Sequence, residues 1–232
     1  QEIIFFIGKG NNGADGLCLA RHLQNNGYSV RAFMIFPDLK YSEQLEKQVK
    51  MAEAFGVKIC DIENANQIDS FFSQVHDHHF VVDSILGTGI RLPISDYLFD
   101  IINIVNHYSS YVISIDIPSG VTGSEGAISS AAIQANLTLA IGMPKTGHYI
   151  SAGAIHSGII KVLESGFPKE LTISGNKKLL DQESINLIKN DRDKFAHKNN
   201  FGHCLVIGGS QGMTGALIMA STAALKVGTG LV

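Results

Sequence analysis

The chain has 232 residues, 45% of them hydrophobic and 17% charged, with a formal net charge of −3 at pH 7. Such a composition predicts a soluble globular protein of one large domain or a domain and a half. The charge gives no electrostatic case for nucleic acid or an anionic membrane as partner.

From the N-terminus, apolar β-rich runs alternate with helix-length segments. Strands are predicted over 3–7, 30–36, 58–62, 80–84, 111–115, 137–141 and 159–163. Helices fall between them, such as 15–25, with Leu17, Ala20 and Leu23 on one face, and 43–55, with Leu45, Val49, Ala52 and Phe55. Near-continuous apolar strands separated by helices imply a parallel sheet covered on both faces. The expected fold is therefore α/β, a doubly wound Rossmann-like domain over residues 1–168. Residues 169–200 are rich in charge and asparagine, apart from a short amphipathic piece at 184–188, and read as a linker. Residues 201–232 start again with a strand, a glycine turn, a helix and the first residues of another strand. One strand and one helix cannot bury a core of their own, so the opening of a second α/β domain is expected, with its remainder outside the chain. No apolar run has transmembrane length. Cys18, Cys60 and Cys204 are far apart and form no metal-binding pair, so reduced cysteines and a cytoplasmic location are expected.

Ligands of open parallel sheets bind beyond the carboxyl ends of the strands. Four predicted strand ends carry glycine or proline turns together with polar groups. The first is loop 8–16, with Asn11, Asn12 and Asp15; the second is "VVDSILGTGIRLP", with Asp83 and loop 87–93. The third is "DIPSG", with Asp116 and Ser119, and the fourth "GMPKTG", with Lys145. Each has a plain explanation when taken alone. The first loop could be only a tight turn, Asp116 a turn-former ahead of Pro118, and Lys145 a solvated surface lysine. Their convergence on one edge favours a site.

Three other motifs lead elsewhere. Gly8, Gly10 and Gly13 fit the dinucleotide-binding G-x-G-x-x-G, and Asp38 lies near the expected ribose-binding position. Against that reading, Asp15 is expected at the helix end that would receive a pyrophosphate. "GGSQG" at 208–212 matches a nucleophile elbow, yet no acid or histidine follows Ser210 to complete a triad. "HDHH" at 76–79 precedes a strand, away from the clustered loops, and reads as solvated loop.

"GNNGADGLCLARHL", "VVDSILGTGIRLP", "IDIPSGVTGSEG" and "MPKTG", in that order, resemble the NAD(P)H-hydrate epimerase family, the YjeF N-terminal domain. "HKNNFGHCLVIGGSQGMTGALIMASTAALKVGTGLV" resembles the start of the ADP-dependent NAD(P)H-hydrate dehydratase domain, which is ribokinase-like. The resemblance implies a repair enzyme acting on NADHX and NADPHX, nicotinamide cofactors hydrated at C6. Its epimerase part interconverts their R and S forms, and its dehydratase part restores the S form with ADP or ATP and Mg2+. It implies substrate contacts from Asn11, Asn12, Gly13, Ala14 and Asp15, from Gly87, Thr88, Gly89, Ile90, Arg91, Leu92 and Pro93, and from Asp116. It implies K+ on Asn12, Asp83 and Ser119, whose oxygen donors suit a hard cation. Asp116 is expected to carry protons as a carboxylate of raised pKa, with Lys145 as its electrostatic partner or a second proton carrier. Lys9, Ala14 and Asn199 depart from the residues common in the family. The family's leading helical segment, which serves dimerisation, is not in the chain; a homo-oligomer is nevertheless expected, and dehydratase activity is not. The alternatives are an NAD-dependent dehydrogenase and a non-catalytic binding module of the same fold.

Overall fold

A computed structural model describes residues 2–74, 79–168, 170, 177–180, 182–188 and 193–232. Seven strands form one wholly parallel sheet: β1 (Glu2–Ile7), β2 (Ser29–Met34), β3 (Lys58–Asp61), β4 (His79–Ser84), β5 (Ser109–Ile115), β6 (Leu137–Ile141) and β7 (Ile159–Leu163). Their order is β3-β2-β1-β4-β5-β6-β7. The direction of winding reverses between β1 and β4, where Ile7 pairs with Ser84 and Phe6 with Asp83. A crevice opens at such a switch point.

Both faces of the sheet are apolar because both are covered. Phe5 and Ile7 join Ala32 and Met34 beneath α1 (Asn11–Asn25) and α2 (Glu43–Ala54). Ile4 and Phe6 join Phe33, Val81 and Val112 beneath α3 (Ala65–Gln74) and α4 (Asp96–Tyr108). Each fully buried aromatic or aliphatic side chain contributes about 1.5–3 kcal/mol, and β1 alone buries Ile4, Phe5, Phe6 and Ile7 completely. Ser42 and Ser95 start α2 and α4 by accepting the backbone N–H of Leu45 and Leu98 at 3.2 and 3.3 Å. The single-turn helix Thr146–His148 and α5 (Ser151–His156) complete the connections on the β6–β7 side.

Most expected strands stand with small shifts at their ends. The first helix begins at Asn11 rather than Asp15. His76, Asp77 and His78 lie outside the described residues. The chain divides into two compact units, residues 1–177 and 178–232. The second holds α6 (Gln182–Ile188) and α7 (Gly215–Val227). The strand expected near its start makes only an isolated parallel bridge between His203 and Leu231. A strand exists through its ladder, and Leu205 and Ile207, 83% and 87% exposed, have no pairing neighbour among the described residues. Among the described residues no helix is long and apolar enough to cross a membrane.

Candidate active site

The turn after β1 is built by backbone contact. A Cβ on Gly8 would stand 1.7 Å from the Ile85 carbonyl oxygen, and one on Gly13 would stand 2.0 Å from the Gly8 oxygen. A Cβ on Gly16 would lie 2.0 Å from the Ser84 hydroxyl. These three glycines seat α1 directly on the ends of β1 and β4. Gly10, the middle glycine of the motif, faces open space. Because α1 starts at Asn11, its first turn holds no acid. Asp15 stands a turn further in, which corrects the objection that it blocks the helix end.

Close seating of α1 buries Asn12, which is 8% exposed. Its Nδ2 donates to the Ile115 carbonyl at 2.7 Å and, more loosely, to Leu86 at 3.4 Å. Its Oδ1 is buried without a hydrogen-bond partner among the described residues, an arrangement that costs about 1–3 kcal/mol unless something donates or coordinates there. Asp83, 1% exposed, receives four donors. The Ile85 N–H (3.2 Å) and the Ser119 hydroxyl (2.5 Å) reach Oδ1, while the Ser114 hydroxyl (2.8 Å) and the Ser119 N–H (2.9 Å) reach Oδ2. Ser119 Oγ also accepts the Leu86 N–H at 2.8 Å. Burial pushes the Asp83 carboxyl above its ordinary pKa, and the four donors pull the other way. Asn12 and Ser119 both bond Leu86, and Ser119 in turn bonds Asp83, so one carboxylate and one orphaned amide oxygen are linked through a single loop. Oxygen atoms of this kind suit a hard cation.

Asp116 ends β5 in a left-handed conformation, φ 69°. The Ile117 N–H bonds back to the Ile115 carbonyl at 2.9 Å, closing a γ-turn around it, a strained form that persists only where its surroundings impose it. They do so through several bonds. The Asp116 N–H donates to Leu139 (2.9 Å), and the Ile141 N–H donates to its Oδ1 (3.1 Å). The Lys145 ammonium bonds the same Oδ1 and also donates to the Ile141 carbonyl at 3.2 Å. Lys145 is therefore a paired group within the site and not the solvated lysine of its plain reading.

His148, 1% exposed, has no signal in the sequence and is the residue that reading missed. The Lys145 N–H donates to its Nδ1 at 3.2 Å, and its Nε2 stands 2.9 Å from the Asp116 carbonyl, which can only accept. The ring is thus neutral with its proton on Nε2. Burial pushes its pKa below the ordinary value.

Two lobes of about 380 Å³ each meet at Asp15, Thr88 and Asp116. One is walled by Lys9–Asn12 and Ile85–Ile90, the other by Ile141, Met143–Lys145 and Phe167. Asn11, Asn12, Asp15, Gly87, Thr88, Gly89, Ile90, Asp116 and Lys145 therefore border one cleft. Gly13, Ala14, Arg91, Leu92 and Pro93 line neither lobe; Gly13 and Ala14 are packed inside, and Leu92 lies against the core. Asp15 keeps a solvent-open face, yet partial burial, reinforced by the charge of Asp116, pushes its pKa up.

That shift has a sign that can be checked. A carboxyl raised in the folded state favours folding in its protonated form, so its contribution to stability is lost as pH rises from 3.8 through the raised value. Asp15→Asn is therefore expected to raise Tm at pH 7 by roughly 1–3 °C, a modest gain because the group is partly solvated. The gain should vanish in melts run near pH 3. A lowered Tm at pH 7 would contradict the assignment.

Residues 1–147 match the family described as YjeF-related protein N-terminus. Over its whole length the chain is 32% identical to the bifunctional NAD(P)H-hydrate repair enzyme Nnr of Moorella thermoacetica, of which it covers 44%. It is also 32% identical, over 73% of its length, to the NAD(P)H-hydrate epimerase of Rhodopirellula baltica, of which it covers 68%. The solved structure of yeast YNL200c resembles it in fold, with a TM-score of 0.58 at 23% identity, covering 72% of this chain and 68% of that one. The chain spans somewhat less than half the length of the bifunctional relatives it matches.

Proposed function

We propose, from the premise that the chain belongs to the family of YjeF-related protein N-termini, that it interconverts the R and S forms of hydrated NAD(P)H. The observation that carries this reading is the Asp116–Lys145 pair, held in a strained turn at the junction of two lobes, with Asp15 bordering both. A two-lobed cleft suits a ligand with two nucleotide halves. In this proposal the reactive carbon lies against the pair, at the junction of the lobes.

Inversion at C6 requires one group to give a proton as a bond at that carbon weakens, and a group to take a proton back as the bond reforms. Two carboxyls in different surroundings divide such work. Asp15, with its raised pKa, is suited to hold and give the proton. Asp116 takes it, and the Lys145 ammonium beside it balances the charge. Asn11, Gly87, Thr88, Gly89 and Ile90 place the substrate against these groups. Leu92, packed against the core, anchors the loop that carries Thr88.

Asn12, Asp83 and Ser119 would hold a potassium ion, which supplies a fixed positive charge against the anionic wall of Asp15, Asp83 and Asp116. Residues 1–168 form the epimerase domain in this reading. Residues 201–232 are the opening of a dehydratase domain that uses ADP or ATP with Mg2+ in a longer protein. The reading also keeps a homo-oligomer and a cytoplasmic setting.

The test is conversion of purified R-NADHX by the chain in potassium buffer and in tetramethylammonium buffer. The expected result is acceleration over the spontaneous rate, with KM at least about tenfold higher without potassium. Tm should also be higher in potassium, because an ion that binds only the folded chain stabilises it. No acceleration by folded protein would sink the reading of activity. An unchanged KM and Tm would remove potassium from it.

A further inference from the structure

We propose that His148 is a positioning residue for the epimerisation, a neutral imidazole clamp that holds Asp116 and Lys145 in register. The proposal rests on the reading of function above, and it deepens that reading.

Asp116 and Lys145 come from different strand ends, and the bond between their side chains does not by itself tie one backbone to the other. Their backbones need a separate link, and His148 supplies it. One ring nitrogen accepts the Lys145 N–H at 3.2 Å and the other donates to the Asp116 carbonyl at 2.9 Å. The Asp116 carbonyl belongs to the γ-turn whose φ of 69° few L-residues other than Asn and Asp adopt. Anchoring that carbonyl fixes the peptide plane next to the strained residue, and with it the direction in which the carboxylate leaves the chain.

The clamp is itself held rigidly. The Gly147 N–H donates to the Gly123 carbonyl at 2.8 Å, and a Cβ on Gly147 would stand 2.2 Å from the Thr122 oxygen. Gly153 seals the other side, since a Cβ there would meet the Gly147 oxygen at 1.9 Å. The single turn Thr146–His148 therefore has no slack, and the ring cannot move without moving its two partners. Only a neutral ring serves: a protonated one would present N–H to the Lys145 N–H.

His148 touches neither lobe of the cleft, so its effect should appear in kcat rather than in KM. His148→Leu fills the space but leaves the Lys145 N–H and the Asp116 carbonyl unpaired. Its kcat on R-NADHX is expected to fall at least about tenfold, with KM within about twofold, in protein that circular dichroism shows to be folded. His148→Gln, whose side-chain amide can still donate to the Asp116 carbonyl, should recover part of that loss. Nitrogen NMR of the wild-type ring should show the Nε2–H tautomer at neutral pH, and the Lys145 amide should be protected from hydrogen exchange. A Leu variant with wild-type kcat, or an Nδ1–H tautomer, would overturn the clamp. If the Leu variant does not fold, the Gln variant and the wild-type tautomer decide between the same outcomes. If the wild-type chain does not epimerise the hydrate, the reading of activity fails by itself. The tautomer and the Lys145 amide exchange, compared between wild type and Gln variant, then decide whether the bridge exists.

Discussion

Asp116→Asn is expected to slow epimerisation of R-NADHX by about 10²–10⁴-fold, the usual worth of a positioned proton-transfer group. Asparagine suits the test because it tolerates the left-handed region better than other residues, and Asp116 sits there at φ 69°. Its amide oxygen can still accept from the Ile141 N–H, which reaches the native carboxylate at 3.1 Å. The γ-turn and its bonds to Leu139 and His148 use backbone atoms that the substitution leaves in place. What is lost is the negative charge opposite Lys145 and the capacity to take a proton. Tm should therefore fall by several degrees, since the two side chains are only 20% and 17% exposed and the variant leaves the Lys145 ammonium without its counter-charge. Asp116→Ala would confound the two effects, because alanine adds strain in the turn. Stopped conversion in protein still folded at the assay temperature places Asp116 at the chemistry. Wild-type kcat in the Asn variant would pass the proton work to Asp15 and leave Asp116 as a turn residue.

The parallel sheet was legible because strands covered on both faces are apolar along their length, as in Ile4–Ile7, and need no partner to be recognised. The start of α1 was not. Asn11, Asn12 and Gly13 are weak helix formers, and Gly10 caps the helix without a side-chain bond. These residues are helical because Gly8, Gly13 and Gly16 let α1 sit down on the strand ends, a tertiary cause that spacing in the sequence does not reveal. Asp83, Asp116 and Ser119 could be picked out since polar residues at strand ends demand an explanation. The four donors that converge on Asp83 come from the residue after β4, from β5 and from the loop beyond β5, and only the fold unites them. His148 gave no signal at all. It lies in a three-residue turn with no periodicity, and its partner Asp116 is 32 positions away.

The glycines of G-x-G-x-x-G divide by function, and substitution should separate them. Gly8→Ala is expected to cost about 3 kcal/mol or more, because the new Cβ meets the Ile85 carbonyl oxygen at 1.7 Å and both sides of that contact are backbone. For a chain of this size that is a fall in Tm of roughly 6–12 °C, if the variant folds at all. Gly10→Ala should behave differently. Nothing lies within 4 Å of its Cβ position, and its φ of −103° is open to any residue. The expected loss there is only the few tenths to about 1 kcal/mol that alanine costs as a helix cap. Gly10 also borders the lobe that runs from Lys9 to Ile90, so an added methyl group changes the wall of that lobe. If the phosphates of the substrate approach the backbone at the start of α1, Gly10→Ala should raise KM about tenfold while the protein melts normally. An unchanged KM would mean that the phosphates lie elsewhere in the cleft, and that the motif persists here for one reason, the seating of a helix on two strand ends.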